Sequence, residues 1–502
     1  MVALETSFNP PLSKLLVHYF SKDLITLITK QFGLSIMENG EELFDDTIKL
    51  IKEHLFSKKY SKIRTKLDYN TLKNHLQPIT PINSNTNEVV IESITKYIEN
   101  SVKTNEPGFM QSLWGGTQIP GILGELLAAA TNTSMYTFDT APPATVIEKT
   151  IISKMNELIG WENGEGIFTS GGSNGNLLGL ACARNYAYPE YSKKGNMDND
   201  FQIFVSTESH YSVEKAAKII GIGTDNIIHI NCDKDGKMDV DDLDKKIRNS
   251  IDQSKNPLCV VATGGTTVRG NFDPINEISE ICKKYDIWLH LDAAWGGAAL
   301  LSEKHKHLLA GIDKTNSICW DPHKLMGVPL ICSAFLVENP EHIRTISSCV
   351  KTPEYLFHGK ESNLDLGKLS IACGRRVDVI KLWLTWVSIG SEGWAKRIDY
   401  CMELAKYLEE KVLEHPNLEL MSIREFTNVC FRWKPEKEKD IKNINLFNIN
   451  LRHKLVSNGN YMVSLSNLNG DQILRPVIAH PTIQKSTLDK LILEIETIAK
   501  TL

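Results

Sequence analysis

The sequence has no CxxC pair, although ten cysteines are spread from Cys182 to Cys430 along its 502 residues. Most sit in apolar stretches such as Ile281-Cys282 and Ile318-Cys319. Neither a zinc site nor a disulfide framework is expected, and the cysteines read as buried, reduced thiols of a cytosolic protein. Long apolar runs are also missing: none approaches the about 18 residues that a membrane helix needs. Basic clusters are absent and the net charge is −5, so nucleic acid is not an expected partner. The opening MVALETSFNPPLSK lacks a basic start followed by an apolar core, so no secretory signal is expected and the cytoplasm is the expected location. There are no repeats or low-complexity tracts. The composition, 42% hydrophobic and 23% charged, is that of an ordinary globular protein, and the length allows two or three domains.

Residues 1–105 read mainly as helix. KLLVHYF, DLITLITKQF, EELFDDTIKLIKEHL and NEVVIESITKYIENSV each place apolar residues three and four apart. From 106 to 136 the chain changes character, and Pro107, Gly108, Gly115, Gly116, Pro120 and Gly121 mark its first half as loop. Such a loop is either a structural crossover or a wall of a substrate pocket.

A helix is expected over VIEKTIISKMNELIG. A short apolar piece, Ile167-Phe168, then leads into Ser170-Gly171-Gly172-Ser173-Asn174-Gly175-Asn176 and a further helical run. Glycines allow close approach of backbone to an anion, and the free N–H groups of a helix start favour phosphate. No Gly-Lys-Ser/Thr follows, so this is not a Walker loop. Beyond it, apolar segments (FQIFVS, NIIHINC, PLCVVATGG, IWLHLDA) alternate with helix-like ones (EKAAKIIG, VDDLDKKIRNSI, INEISEICKKY). That alternation predicts a mostly parallel sheet with helices on both faces, whose ligands gather at the carboxyl ends of strands. His210, Thr266, Thr267 and Asp292 each fall just after such a strand. His305 and His307, in EKHKHLL, lack a ligand partner at metal spacing and read as the solvated surface of a lysine-flanked helix; no metal is expected.

Two residues between Trp288 and Leu336 carry the most chemistry. Asp292 ends the nearly continuous apolar run IWLHL, where a carboxylate is costly unless a cation meets it. Lys324 is followed by Leu325, Met326, Gly327 and Val328, so its amine is expected in a desolvated site. An acid for a pyridinium nitrogen and a lysine for an aldehyde are the two fixtures of a pyridoxal phosphate (PLP) site. After Phe335, TPEYLFHGKESNLDLGK reads as a loop and CGRRVDVIKLWLTWVSIG as a tryptophan-rich helix. Residues 395–502 alternate helices with short strands (LELMSI, NVCFRW, YMVSLS, ILRPVIA), as in a small α+β domain. The expected divisions are 1–105, 106–375 and 376–502.

In this order the motifs resemble the group II PLP-dependent amino acid decarboxylases, nearest the branch that acts on glutamate, cysteine sulfinate and aspartate. The resemblance covers about residues 106–500. It implies the aspartate-aminotransferase-like fold (fold type I): a large α/β domain, a small α+β C-terminal domain and a helical N-terminal arm. The family's Asn-Pro-His-Lys reads Asp321-Pro322-His323-Lys324 here, which implies that Lys324 carries PLP as a Schiff base with His323 beside it. His-Val-Asp-Ala-Ala-Trp matches at Asp292, implied to hold the pyridine nitrogen protonated. Ser-His-Tyr-Ser matches Ser209 to Ser212 and makes His210 the ring-stacking residue. The phosphate loop corresponds to Ser170-Gly171-Gly172, with Ser173, Asn176, Thr266 and Thr267 as further cofactor contacts. The family's substrate-carboxylate arginine matches Arg475, its substrate segment matches Ser112-Leu113-Trp114, and its loop tyrosine, the proton donor to the α-carbon, matches Tyr355.

Three departures qualify the match. Ser112 stands where the family has a side-chain amide, while Trp114 resembles the bulky aromatic of the sulfinate/aspartate branch. The loop between Tyr355 and Gly367 is a few residues shorter than the family's. Asp321 replaces an asparagine and adds negative charge near the lysine or the phosphate. The expected activity is α-decarboxylation of a small acidic L-amino acid by a cytoplasmic homodimer. A basic or aromatic substrate, and an aminotransferase on the same fold, are the alternatives.

Overall fold

The computed structural model describes residues 40–56, 62–63, 68–78, 80–82, 85–195, 200–348, 356–357, 364–434 and 443–502. The helices expected in KLLVHYF and DLITLITKQF lie outside these residues, and so does Tyr355. The chain forms two compact units, Met1–Lys103 and Thr104–Leu502.

Within the first unit, helices Gly40–Phe56 and Tyr69–Leu76 both pack on Asn87–Asn100. Asp68 caps the second of them by accepting from the backbone N–H groups of Asn70 and Thr71, satisfying donors that the helix itself cannot.

The second unit contains two sheets. The larger runs in the order β2-β8-β7-β6-β5-β3-β4, with β2 Glu165–Thr169, β3 Phe201–Ser206, β4 Ile227–Ile230, β5 Asn256–Thr263, β6 Trp288–Asp292, β7 Ser317–Trp320 and β8 Ser333–Val337. Strand β8 is antiparallel to both its neighbours, β2 and β7, and the remaining pairs are parallel. All strands except β8 therefore end at one edge. Strands β3, β6 and β7 are buried along their whole length, as expected for strands covered on both faces. Helix Gly172–Ala187 crosses the sheet against β5, β6, β7 and β8. Glu148, almost fully buried on helix Pro142–Ile159, accepts the Phe168 N–H at 3.2 Å and the Arg375 guanidinium at 2.8 Å. This pins β2, and so the glycine loop that follows it.

The smaller sheet has the order β1-β11-β12-β10-β9: β1 Phe109–Met110, β9 Leu418–Leu420, β10 Phe431–Trp433, β11 Met462–Leu468 and β12 Asp471–Arg475. Strand β1 corrects the sequence reading, which made this stretch loop. Its two residues pair in parallel with Met462 and Val463, a partnership more than 350 positions away that no local pattern reveals. A helical segment, Val379–Glu414, precedes the last four strands and kinks at Gly390, where φ is +65°. EKHKHLL forms only a 3-10 turn, Lys306–Leu309, rather than a longer helix. Its His307 is exposed and His305 lies 3.7 Å from Asp399. Among the described residues no helix is long and apolar enough to cross a membrane.

Candidate active site

A cavity of about 260 Å³ opens at the shared carboxyl edge of the large sheet, where ligands of open α/β sheets bind. Five strand ends of the large sheet contribute. Strand β2 leads to Gly172, Ser173 and Asn176; β3 to His210; β5 to Thr263, Gly265 and Thr267; β6 to Asp292, Ala294 and Trp295; β7 to Asp321, His323 and Lys324. Leu113 and Trp114, delivered by β1, and Leu330 complete the wall.

The glycine loop opens a helix that the sequence places at this edge. Gly171, the N-cap of helix Gly172–Ala187, has φ of +130°, a backbone that side-chain-bearing residues avoid. Its carbonyl accepts the N–H groups of Asn174 and Gly175. A Cβ on Gly172 would fall 2.6 Å from Asp321 Oδ2, so the absent side chain lets a carboxylate press against the first turn.

Asp292 and Lys324 both face this cavity. Asp292 is buried and accepts the Ala294 N–H at 3.1 Å and the Asn176 amide at 2.8 Å. Lys324 keeps about a fifth of its side chain exposed and lies 3.4 Å from Asp321 Oδ2. The same oxygen is 3.7 Å from His323 Nε2. His323 Nδ1 sits 2.6 Å from the Cys332 carbonyl and 3.2 Å from the Cys332 N–H, so Cys332 offers it both an acceptor and a donor. Burial pulls the His323 pKa below the usual histidine value. His210 Nδ1 lies 2.8 Å from Ser212 Oγ, and burial lowers its pKa against the opposing pull of Asp292.

Behind these residues runs a buried hydrogen-bonded relay whose direction is fixed at both ends. The Trp288 indole N–H, which can only donate, reaches Ser317 Oγ at 3.0 Å. Ser317 then donates to His290 Nδ1 at 2.7 Å, and His290 Nε2 donates to Asn176 Oδ1 at 3.0 Å. The two amide hydrogens of Asn176 go to Asp292 and, at 2.8 Å, to Ser212 Oγ. Ser212 in turn donates to His210, leaving the His210 N–H at Nε2. The Asp292 carboxylate, accepting from Asn176, ends one branch. His290 is fully enclosed, and burial depresses its pKa to about 4, so the neutral ring that this relay needs is the stable form.

Of the residues expected from sequence, Leu113, Trp114, Gly172, Ser173, Asn176, His210, Thr267, Asp292, His323 and Lys324 line the cavity together. Gly171 caps the helix behind it. Thr266 closes the following turn: its Oγ1 accepts the Asn271 N–H at 3.1 Å, and it is not in the wall. Ser112 is half-buried between Gln111 and Leu113. Arg475, at the end of β12, is buried outside the wall. Its guanidinium donates to the carbonyls of Thr267 and Gln111 and to Ser464 Oγ, and its Nε has no partner among the described residues.

Sequence reasoning missed Thr263, Gly265, Ala294, Trp295 and Leu330. Thr263 is the β5 partner of Asp292 in register; its buried hydroxyl lines the cavity and has no hydrogen-bond partner among the described residues. The strand-end rule that picked out Asp292 would also have found it. Trp295 is held by a 3.0 Å bond from its indole to Asn428.

The pyridoxal-dependent decarboxylase conserved domain matches residues 70–434 of the chain. Human cysteine sulfinic acid decarboxylase is 35% identical over 426 residues, covering 82% of this chain and 86% of that protein. The crystal structure of mouse CSAD superposes with a TM-score of 0.89 at 32% identity, covering 92% of this chain and 99% of that one. The structure of Oryza sativa TDC with PLP and tryptamine, at 21% identity, shares the fold with a TM-score of 0.86 over 93% of this chain and 98% of that one. With the domain match spanning most of the sequence, the chain belongs to the pyridoxal-dependent decarboxylase family and is a PLP-dependent amino acid decarboxylase.

Proposed function

We propose that the chain releases CO2 from a small acidic L-amino acid of the cysteine sulfinate, aspartate or glutamate class. The observation that carries this reading is the similarity to cysteine sulfinic acid decarboxylase across most of both chains. Trp114, fixed against Phe109 with ring centroids 5.3 Å apart, supports a short substrate by narrowing the wall. The position of Asp321 against Gly172 turns its charge toward the helix start, so it gives little motive for a basic substrate.

The residues around the cavity fit PLP. A lysine, a buried carboxylate, an imidazole, a glycine-opened helix start and a buried Thr263 hydroxyl with no partner among the described residues all face one space. Lys324 would take the aldehyde, and Gly171 to Ser173 would take the phosphate at the helix start, with Thr266, Thr267 and His323 around it. When bound, PLP supplies an electron sink for the pair left at the substrate α-carbon. Asp292 would hold a proton on the ring nitrogen, and the Asn176 amide would keep its carboxylate aimed. His210, with its N–H at Nε2, would cover the ring. Arg475 and Ser112 to Trp114 would orient the substrate, and Tyr355 would return a proton to the α-carbon. Residues 106–375 would form the cofactor domain and 376–502 the small domain, in a cytoplasmic homodimer.

Substrate class is tested by measuring CO2 from cysteine sulfinate, aspartate, glutamate, and representative basic and aromatic amino acids, with keto acid assayed in parallel. The acidic set should release CO2 fastest. Preference for a basic or aromatic substrate overturns the class, and keto acid without CO2 overturns the reaction. Lys324→Ala should remove the visible absorption of lysine-linked cofactor.

A further inference from the structure

Arg397, on the helical segment Val379–Glu414, is buried, and no carboxylate among the described residues pairs with it. Its Nε donates to the Leu325 carbonyl at 2.9 Å and its Nη2 to the Ala479 carbonyl at 3.1 Å. Leu325 follows Lys324 directly, and Ala479 lies on the segment that runs on from Arg475. Gly327 closes the lysine turn by donating its N–H to the Lys324 carbonyl at 2.9 Å. A Cβ on Gly327, where φ is +68°, would fall 2.3 Å from Arg397 Nη2. The guanidinium therefore presses on the turn that carries Lys324.

Three other buried cations of the same unit have counter-charges. Arg269 faces Glu208 at 3.4 Å, Arg375 faces Glu148 at 2.8 Å and Lys381 faces Asp378 at 2.8 Å. Around Arg397 the described groups are neutral. Burial pushes the Cys401 thiol up to about 11. His480 is 3% exposed, and burial together with Arg397 pulls its pKa down to about 4. Its Nδ1 accepts the Thr482 N–H at 3.1 Å. Arg475 is alike in this respect, with carbonyls, the Ser464 hydroxyl and the Cys430 thiol as its neighbours. A buried charge without a partner is costly, and its field is screened far less than that of a solvated one.

We propose that Arg397 sets substrate selectivity from behind the cavity wall: its unneutralised charge beside the Lys324 turn favours a side-chain acid over an uncharged isostere. The inference rests on the acidic class proposed above and names a residue that enforces it. Arg475 would touch the substrate, whereas Arg397 lines no part of the cavity and acts through its field. At an effective dielectric of about 20, one unit charge about 10 Å away changes the binding of an anion on the order of tenfold.

The experiment uses the full-length holoenzyme and two competitors of one shape, aspartate and asparagine, which differ by a single charge. Each is titrated against release of labelled CO2 from the fastest substrate, and the ratio of the two inhibition constants is the readout. Arg397→Gln removes the charge but keeps an N–H for the Leu325 carbonyl, and Arg397→Lys keeps the charge. His480→Asp and His480→Asn form a second pair: both lose the ring, and only the first sets a carboxylate beside Arg397. The preference for aspartate should fall on the order of tenfold in Arg397→Gln and in His480→Asp. It should stay within about twofold of the wild type in Arg397→Lys and His480→Asn, where no charge changes. A purely structural role for Arg397 would not separate His480→Asp from His480→Asn. An unchanged preference in Arg397→Gln and His480→Asp overturns the inference while leaving the proposed function intact. A wild type that binds asparagine as well as aspartate overturns the acidic class and the inference with it. Should Arg397→Gln not fold, the His480 pair decides: equal preferences in its two members overturn the inference.

Discussion

Asn176 donates to Asp292 at 2.8 Å from one amide hydrogen and to Ser212 from the other, while His290 donates to its oxygen. The amide is therefore used on three sides, and its orientation is fixed by a carboxylate in front and a neutral imidazole behind. Replacing Asn176 with Leu keeps the approximate volume and removes all three bonds. A hydrogen bond to a charged group contributes about 1.5–3 kcal/mol, which corresponds to a roughly ten- to hundredfold loss in kcat/KM. Steady-state decarboxylation and PLP affinity measured together check this. A variant with unchanged values for both would remove Asn176 from the site.

The enclosed His290 gives stability a defined pH response. Its folded-state pKa of about 4 lies below the ordinary 6.5, so between these values the unfolded chain binds a proton that the folded chain does not. Stability from this group is present above 6.5 and is lost as pH falls toward 4, by up to about 1.4 kcal/mol per pH unit. His290→Gln offers an amide in place of the ring and cannot titrate. Urea unfolding from pH 7 to 4 should show a shallower acid-side decline for the variant. Parallel profiles would place the histidine outside the linkage.

The large sheet and the centre of the site were legible because both follow from local pattern. Asp292 ends an apolar strand, Lys324 follows another, and the Gly171–Ser173 loop sits between a strand and a helix. Thr263 escaped notice because a threonine ending a β-branched run reads as ordinary strand. His290 was hidden for a similar reason: inside IWLHL it looks like one polar interruption, and its partners Asn176 and Ser317 lie 114 and 27 positions away. Strand β1 and the bonds from Arg475 to Gln111 and Thr267 join distant segments. Periodicity carries no information about such contacts.

Arg475 holds two cavity-side segments at once, through the carbonyls of Thr267 and Gln111. Arg475→Met should raise KM for the acidic substrate more than tenfold, because both the guanidinium and the geometry of residues 111–114 are lost. Arg475→Lys should recover only part of this, since an ammonium cannot reproduce the fork. Comparing KM with kcat across the two variants tests the assignment. An unchanged KM in Arg475→Met would confine the residue to a structural role.

Gly179 is the contact through which helix Gly172–Ala187 presses on the relay. A Cβ there would lie 2.5 Å from His290 Nδ1 and 2.6 Å from Cε1, closer than real contacts allow, and the fully buried ring has little room to retreat. Gly179→Ala should destabilise the protein by about 1–3 kcal/mol, the usual penalty of overpacking, although alanine is the better helix former. The penalty should be specific to the ring. In a His290→Ser background, where the ring is gone, Gly179→Ala should be close to neutral, giving a coupling energy of about 1–3 kcal/mol in a double-mutant cycle. Chemical denaturation of the four proteins measures it. Additive effects would show that the strain falls on the helix backbone, and the close approach of Gly179 to His290 would then not be what holds the relay in place.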